Sequence, residues 1–167
     1  IHQNGDAGLD RLLKTLEKNL EDYPRADHRT TVVHFGFSAH DQLKKMKELG
    51  VVISANPYYV TALSDLYSKK GVGYKRSQEM VRLGDAIKEG IKVALHSDMP
   101  MAPASPLMLM HAAVNRDNFA GKVAGPHQRI SAIEALRAVT INSAYVLRLE
   151  KKYGSIEAGK FANLTIL

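Results

Sequence analysis

The chain has 167 residues, enough for one domain, and its 45% hydrophobic and 24% charged content excludes a disordered or low-complexity polymer. It contains no cysteine, which excludes disulfides and thiolate metal sites and leaves imidazole and carboxylate as the side chains that would hold a metal. The formal net charge is +6, but the basic residues are scattered (Lys44, Lys45 and Lys47; Lys69 and Lys70; Lys151 and Lys152) with no interleaved aromatics, so no nucleic-acid partner is expected.

In chain order, strand-like and helix-like segments alternate. Ile1 to Gly5 reads as the end of a strand running into a turn, so the chain is expected to begin in mid-domain. Leu9, Leu12, Leu13, Leu16 and Leu20 put one apolar face on a helix from Asp6 to Leu20, stopped before Pro24. Thr30 to Phe35 is short and β-branched, as a buried strand should be. Ser38 and Asp41 resemble a capping box that opens a helix with Leu43, Met46 and Leu49 inward, ended by Gly50. Val51 to Ala55 is the next strand, broken by Asn56-Pro57, and a Tyr-, Lys- and Gly-rich loop is expected from Tyr58 to Lys75.

A helix is expected from Ser77 to Glu89, a strand from Ile91 to His96, and a proline-broken loop through Pro100, Pro103 and Pro106. Helices follow over Leu107 to Val114 and, behind a Ser131–Glu134 capping box, to about Leu147. The turn Gly154 to Lys160 leads to an expected strand over Phe161 to Leu167. This alternation implies a parallel sheet, and four strands make half of a (β/α)8 TIM barrel. Residues 1–150 would be the C-terminal half of that barrel. No apolar run is long enough to cross a membrane, so no membrane partner is expected, and the lack of cysteine fits a reducing, cytoplasmic location.

His2, His34 and Asp98 fall at strand ends, where a parallel barrel builds its active site. Each alone has a plain structural reading, as a hydrogen-bonded core histidine or a turn-forming aspartate. Together they place three nitrogen and oxygen donors at one end of the sheet, as a metal site requires. On the twofold repeat of a strand, Val32 and His34 share a face, as do His96 and Asp98 if that strand persists. Tyr58, Tyr59, Met99 and Met101 would line an apolar, aromatic-tolerant pocket rim. Arg116 either binds a substrate carboxylate or joins a structural ion pair. His28, His40, His111 and His127 are expected to meet solvent or local partners.

Several of these segments resemble the amidohydrolase superfamily, in the branch that includes N-substituted formamide deformylase. Ile1-His2-Gln3-Asn4-Gly5-Asp6 looks like the branch's fifth-strand motif, Val33-His34-Phe35 its sixth, and Leu49 to Pro57 its seventh. His96-Ser97-Asp98-Met99-Pro100 resembles the Ser-Asp-x-Pro signature after the eighth strand, with His96 where Gly is common. Ala135 to Ala144 is similar to the helix that follows the barrel. Gly154 to Asn163 resembles the hinge into a small β-sandwich, with Asn163 where Asp is usual.

The resemblance implies a metal-dependent hydrolase that cleaves amide-type, non-peptide carbon–nitrogen bonds by attack of a metal-bound hydroxide. The divalent metal would be zinc, with His2, His34 and Asp98 as ligands. Asp98 would also be the catalytic base, and His96 would bind the oxyanion or orient Asp98. Residues 151–167 would be the hinge and first strand of a truncated β-sandwich. The family's first-strand His-x-His pair and fourth-strand ligand have no counterpart and are expected upstream of Ile1. The isolated chain is therefore expected to bind metal weakly, to turn over negligibly, and to form homo-oligomers through an unclosed sheet. The alternative is a non-catalytic half-barrel that only self-associates.

Overall fold

The computed structural model describes residues 1–166. Four strands, β1 (His2–Gln3), β2 (Thr31–His34), β3 (Val52–Ala55) and β4 (Val93–Leu95), form one parallel sheet in the order β1-β2-β3-β4. Helices α1 (Asp6–Asp22) and α2 (His40–Glu48) link the first three strands. Between β3 and β4 run α3 (Tyr58–Lys70), α4 (Tyr74–Ser77) and α5 (Leu83–Lys88). After β4 come α6 (Pro106–Asn115), a 3-10 turn (Pro126–Gln128), α7 (Ala132–Val139) and α8 (Ile141–Val146). Parallel neighbours joined by helical crossovers are the repeating unit of a (β/α) barrel, of which this sheet is a part.

The sheet is buried against its helices by one side-chain row. Val32, Ile53, Ala55, Val93 and Leu95 face Leu9 and Leu13 of α1, Leu43 and Met46 of α2, and Leu83 and Ala86 of α5, all within one buried cluster. Each fully buried aliphatic side chain contributes about 1.5–3 kcal/mol, so this layer dominates the stability of the unit. On the opposite face, His2, Val33 and Ser54 in register are exposed or only partly buried, whereas Val52 and Ala94 are buried.

Five expectations are corrected. The segment from Tyr58 is helical rather than a loop: Pro57 precedes the first turn, Asn56 Oδ1 accepts from the Tyr58 amide (3.1 Å), and Val60, Leu63, Ser64 and Tyr67 form an inward face. The helix expected over Ser77 to Glu89 is interrupted at Val81, whose φ is 50°. That bend presents the Met80 and Val81 carbonyls to the Arg116 guanidinium (2.7 and 3.0 Å).

At the start of α2 the backbone is satisfied one residue later than expected, because Gln42 Oε1 accepts from the Ala39 amide (2.9 Å). Ser38 Oγ is buried without a partner. The last long helix divides at Thr140 (φ −120°, ψ −98°) into α7 and α8. The Ser131–Glu134 box does open α7, with Glu134 Oε2 accepting from the Ser131 amide at 2.7 Å. Residues 161–166 form no strand, and Leu167 lies outside the described residues.

Candidate active site

The C-terminal ends of β1 and β2 bring His2 and His34 together. His34 does not follow the alternation of its strand. A side chain in step with Val32 would face the helices, but His34 has a left-handed φ of 74°, and Phe35 follows with φ 56°. Phe35 takes the helix-side position, fully buried, and the His34 ring meets His2, His96 and Tyr59 instead. Non-glycine residues rarely adopt this backbone, and its presence at a strand end marks a site where geometry is imposed on the chain.

A chain of polar contacts runs through three imidazoles. His2 Nδ1 and His34 Nε2 are 2.8 Å apart, His34 Nδ1 and His96 Nε2 3.2 Å, and His96 Nδ1 and Ser54 Oγ 3.0 Å. One assignment of protons satisfies the series: His96 Nδ1–H donates to Ser54 Oγ, and His34 Nδ1–H donates to His96 Nε2. The His34 Nε2 lone pair then accepts a hydrogen bond from His2 Nδ1–H. Burial lowers the pKa of both His34 and His96; at His34 the Asp98 carboxylate opposes that shift, and at His96 the neighbouring His34 adds to it.

Asp98 lies beyond the end of β4, in a turn with φ 53°, and its Oδ2 is 3.9 Å from His34 Nδ1. The strand stops at Leu95, although the His96 amide still donates to the Ala55 carbonyl (2.9 Å). His96 and Asp98 therefore do not share a strand face. Asn56, fully buried at the end of β3, donates from Nδ2 to the Ser97 carbonyl (3.3 Å) and fastens this turn to the neighbouring strand.

His2 and His34 fit a divalent metal in donor chemistry. Tetrahedral nitrogen donors at roughly 2.0–2.1 Å from zinc are about 3.4 Å apart, wider than the 2.8 Å of this hydrogen-bonded pair, so the two rings would have to separate slightly to share a metal. Asp98 approaches the other nitrogen of His34, and among the described residues no group of three His, Cys, Asp or Glu side chains is arranged to hold a metal ion. Two imidazole nitrogens alone fall short of the three protein ligands that catalytic zinc sites use.

The other expected site residues divide. Tyr59 stacks on His34 (5.9 Å between ring centroids), and burial raises its phenol pKa, with the Asp98 charge acting in the same direction. Tyr58 instead packs edge-on against Phe119, and Met99 projects into solvent while Met101 lines the cavity beside Tyr59. Arg116 is fully buried at the left-handed end of α6, and its three nitrogens donate to the carbonyls of Ala124, Val81 and Met80. Enclosed there, it reaches neither a substrate nor a carboxylate partner. His28, His40, His111 and His127 each have a local partner: Thr30 and Leu49, Glu89, Asp117, and Glu79. Ser54, Asn56 and Asn4 also adjoin the imidazole chain or its cavity; of these only Asn56, before Pro57, carries a local sequence signal, that of a turn or cap.

The sequence matches the amidohydrolase family over residues 1–167. This chain belongs to that family. It is 30% identical to N-substituted formamide deformylase of Arthrobacter pascens over 167 residues, covering 100% of this chain and 31% of that protein. Among solved structures it resembles uncharacterized metal-dependent hydrolases from Pyrococcus furiosus and Pyrococcus horikoshii OT3. The first is 32% identical with a TM-score of 0.77, covering 96% of this chain and 31% of that one. The second is 30% identical with a TM-score of 0.81, covering 97% and 32%. This amidohydrolase chain thus spans about a third of the length of the relatives it matches.

Proposed function

We propose that this amidohydrolase chain supplies two imidazole ligands, His2 and His34, and a proton-carrying carboxylate, Asp98, to the active site of a hydrolase of amide-type carbon–nitrogen bonds. The observation that carries the reading is the convergence of His2 Nδ1 and His34 Nε2 at the C-terminal ends of adjacent parallel strands, with Asp98 beside the same ring. A divalent metal, zinc in this reading, would polarise the scissile carbonyl and acidify water there.

The residues of the chain do the rest. Asp98, with its side chain 46% exposed, accepts a proton from the attacking water and passes it to the departing amine nitrogen. His96 acts through His34: with Nδ1 on Ser54 and Nε2 on His34, it fixes the tautomer and tilt of the ligand ring. That assigns His96 a positioning role in place of contact with the oxyanion. The substrate is a small amide. Residues 1–150 form the barrel portion, and the segment from residue 151 forms the hinge that follows it.

The test is zinc content after loading and exhaustive dialysis, compared with His2→Ala, His34→Ala and Asp98→Ala. We expect weak retention in the parent chain, loss in both histidine variants, and little change in Asp98→Ala, which faces the other nitrogen. Retention that is identical in the parent and both histidine variants would sink the reading. The shortage of a third converging donor supports a second one, a self-associating half-barrel without turnover.

A further inference from the structure

A cavity of about 400 Å³ opens beside Tyr59, next to the imidazole chain. Its walls come from four separate parts of the fold. Phe37 follows β2, Leu63 and Tyr67 stand one turn apart on α3, Met80 forms a floor that is 1% exposed, and Met101 closes the side below Asp98. No charged residue lines it, and Asn4 provides the amide group at its mouth. Phe37 and Tyr67 stack with 22° between their planes and 6.3 Å between centroids, which gives one wall a flat face. Arg76 lies 5.5 Å from the Phe37 ring, and its charge is taken up by Asp6 (2.7 Å). The second cavity, of about 410 Å³, is lined by Asp65, Lys69 and Lys70 and is chemically unlike it.

From this lining we infer that the Phe37–Leu63–Tyr67–Met101 cavity is the recognition subsite for a neutral, flat, apolar substituent on the amide. It thereby selects against substrates that carry a carboxylate at that position. Its place next to the reacting atoms rests on the hydrolase reading; its ligand chemistry does not. An aromatic ring offered to this cavity exchanges water for ring faces and thioether sulfurs, both favourable partners. A carboxylate there would lose its hydration with no cation to replace it. The volume is within the range of small-molecule sites and large enough for one ring with its linker.

The test is titration of the 15N-labelled chain with benzamide, benzoate and acetamide, followed by amide signals and the methyl signals of Met80 and Met101. We expect benzamide to shift Phe37, Leu63, Tyr67 and both methionines saturably, with an affinity in the millimolar range typical of a small fragment. Benzoate and acetamide should bind roughly tenfold more weakly or worse, and Leu63→Asp should abolish the benzamide shifts. If Leu63→Asp does not fold, Leu63→Trp, which fills the space with apolar atoms, should block benzamide equally. The inference is overturned if benzamide shifts nothing, if it shifts Thr61 and Phe119 around the second cavity instead, or if benzoate binds as well. Zinc is not needed for this measurement. Benzamide binding without zinc retention would leave the subsite standing and defeat the hydrolase reading; zinc retention without benzamide binding would do the reverse.

Discussion

Arg116 shows how far one residue can depart from the role its chemistry advertises. Burial lowers its pKa to about 10, and it remains a cation at neutral pH, satisfied by three backbone carbonyls. Arg116→Ala strands those carbonyls in the interior at about 1–3 kcal/mol each, and opens a void as well. We expect a loss of about 3–5 kcal/mol in urea unfolding, with Arg116→Lys recovering only part, because a single ammonium cannot reproduce the planar fork. A loss below about 1 kcal/mol would show that the carbonyls find other partners.

At this scale the sequence disclosed which residue types gather at the strand ends but not how they are aimed. His2, His34, His96 and Asp98 were legible because polar residues interrupt apolar strands at one end of the sheet. The left-handed turns at His34, Phe35 and Asp98 were not, since positive φ is uncommon for any non-glycine residue; His and Asp tolerate it better than most, Phe does not. Tyr58 and Tyr59 are adjacent in sequence, yet one flanks His34 and the other Phe119. Successive helical residues point about 100° apart, a divergence that the loop expected over this segment does not imply.

Elements are held in place by contacts that cross long stretches of chain. Arg29, just before β2, pairs with both carboxylate oxygens of Glu150 (3.0 and 2.8 Å), donates to the Tyr145 carbonyl and stacks over the Tyr145 ring at 3.8 Å. This clasp ties α8 and the turn after it to the start of the sheet. Hydrogen bonds from Arg29 hold the Glu150 carboxyl at about 2, well below its ordinary value. A depressed carboxyl contributes stability that is complete above the ordinary glutamate range and is lost as pH falls toward the folded value. Thermal unfolding should therefore drop as pH goes from about 5 to about 2, and Glu150→Gln should lower the plateau and flatten that slope. An unchanged acid slope in the variant would mean other carboxylates carry it.

Helix existence was readable where leucine spacing was strong, as in α1. It failed in α3, where three tyrosines, a threonine and two lysines mask a modest apolar stripe. The breaks at Val81 and Thr140 are imposed by tertiary partners, Arg116 for one and the edge of β4 for the other, where Asn142 Nδ2 donates to the Val93 carbonyl (2.8 Å). No local pattern announces either.

For the molecule as a whole, the sheet has two outer strands. Asn142 covers part of β4, whereas among the described residues β1 pairs with β2 alone, and the inner row of His2, Val33 and Ser54 is not fully covered. Unpaired strand edges and half-covered faces recruit further chains. We expect sedimentation to show concentration-dependent association of the 167-residue chain, with Val33→Lys on the inner row reducing it. A monomer at every concentration would argue against this route.

The Arg29–Glu150 clasp and the imidazole chain lie at opposite rims of the same short strands: Arg29 stands before Thr31, and His34 closes β2. Four residues of strand, about 13 Å of backbone, separate the rim that keeps the unit together from the rim that gathers the histidines. Natural variation then has two independent dials. Loops on the histidine rim can be exchanged while the clasp preserves the fold, and changes that harden the clasp leave the imidazole chain undisturbed.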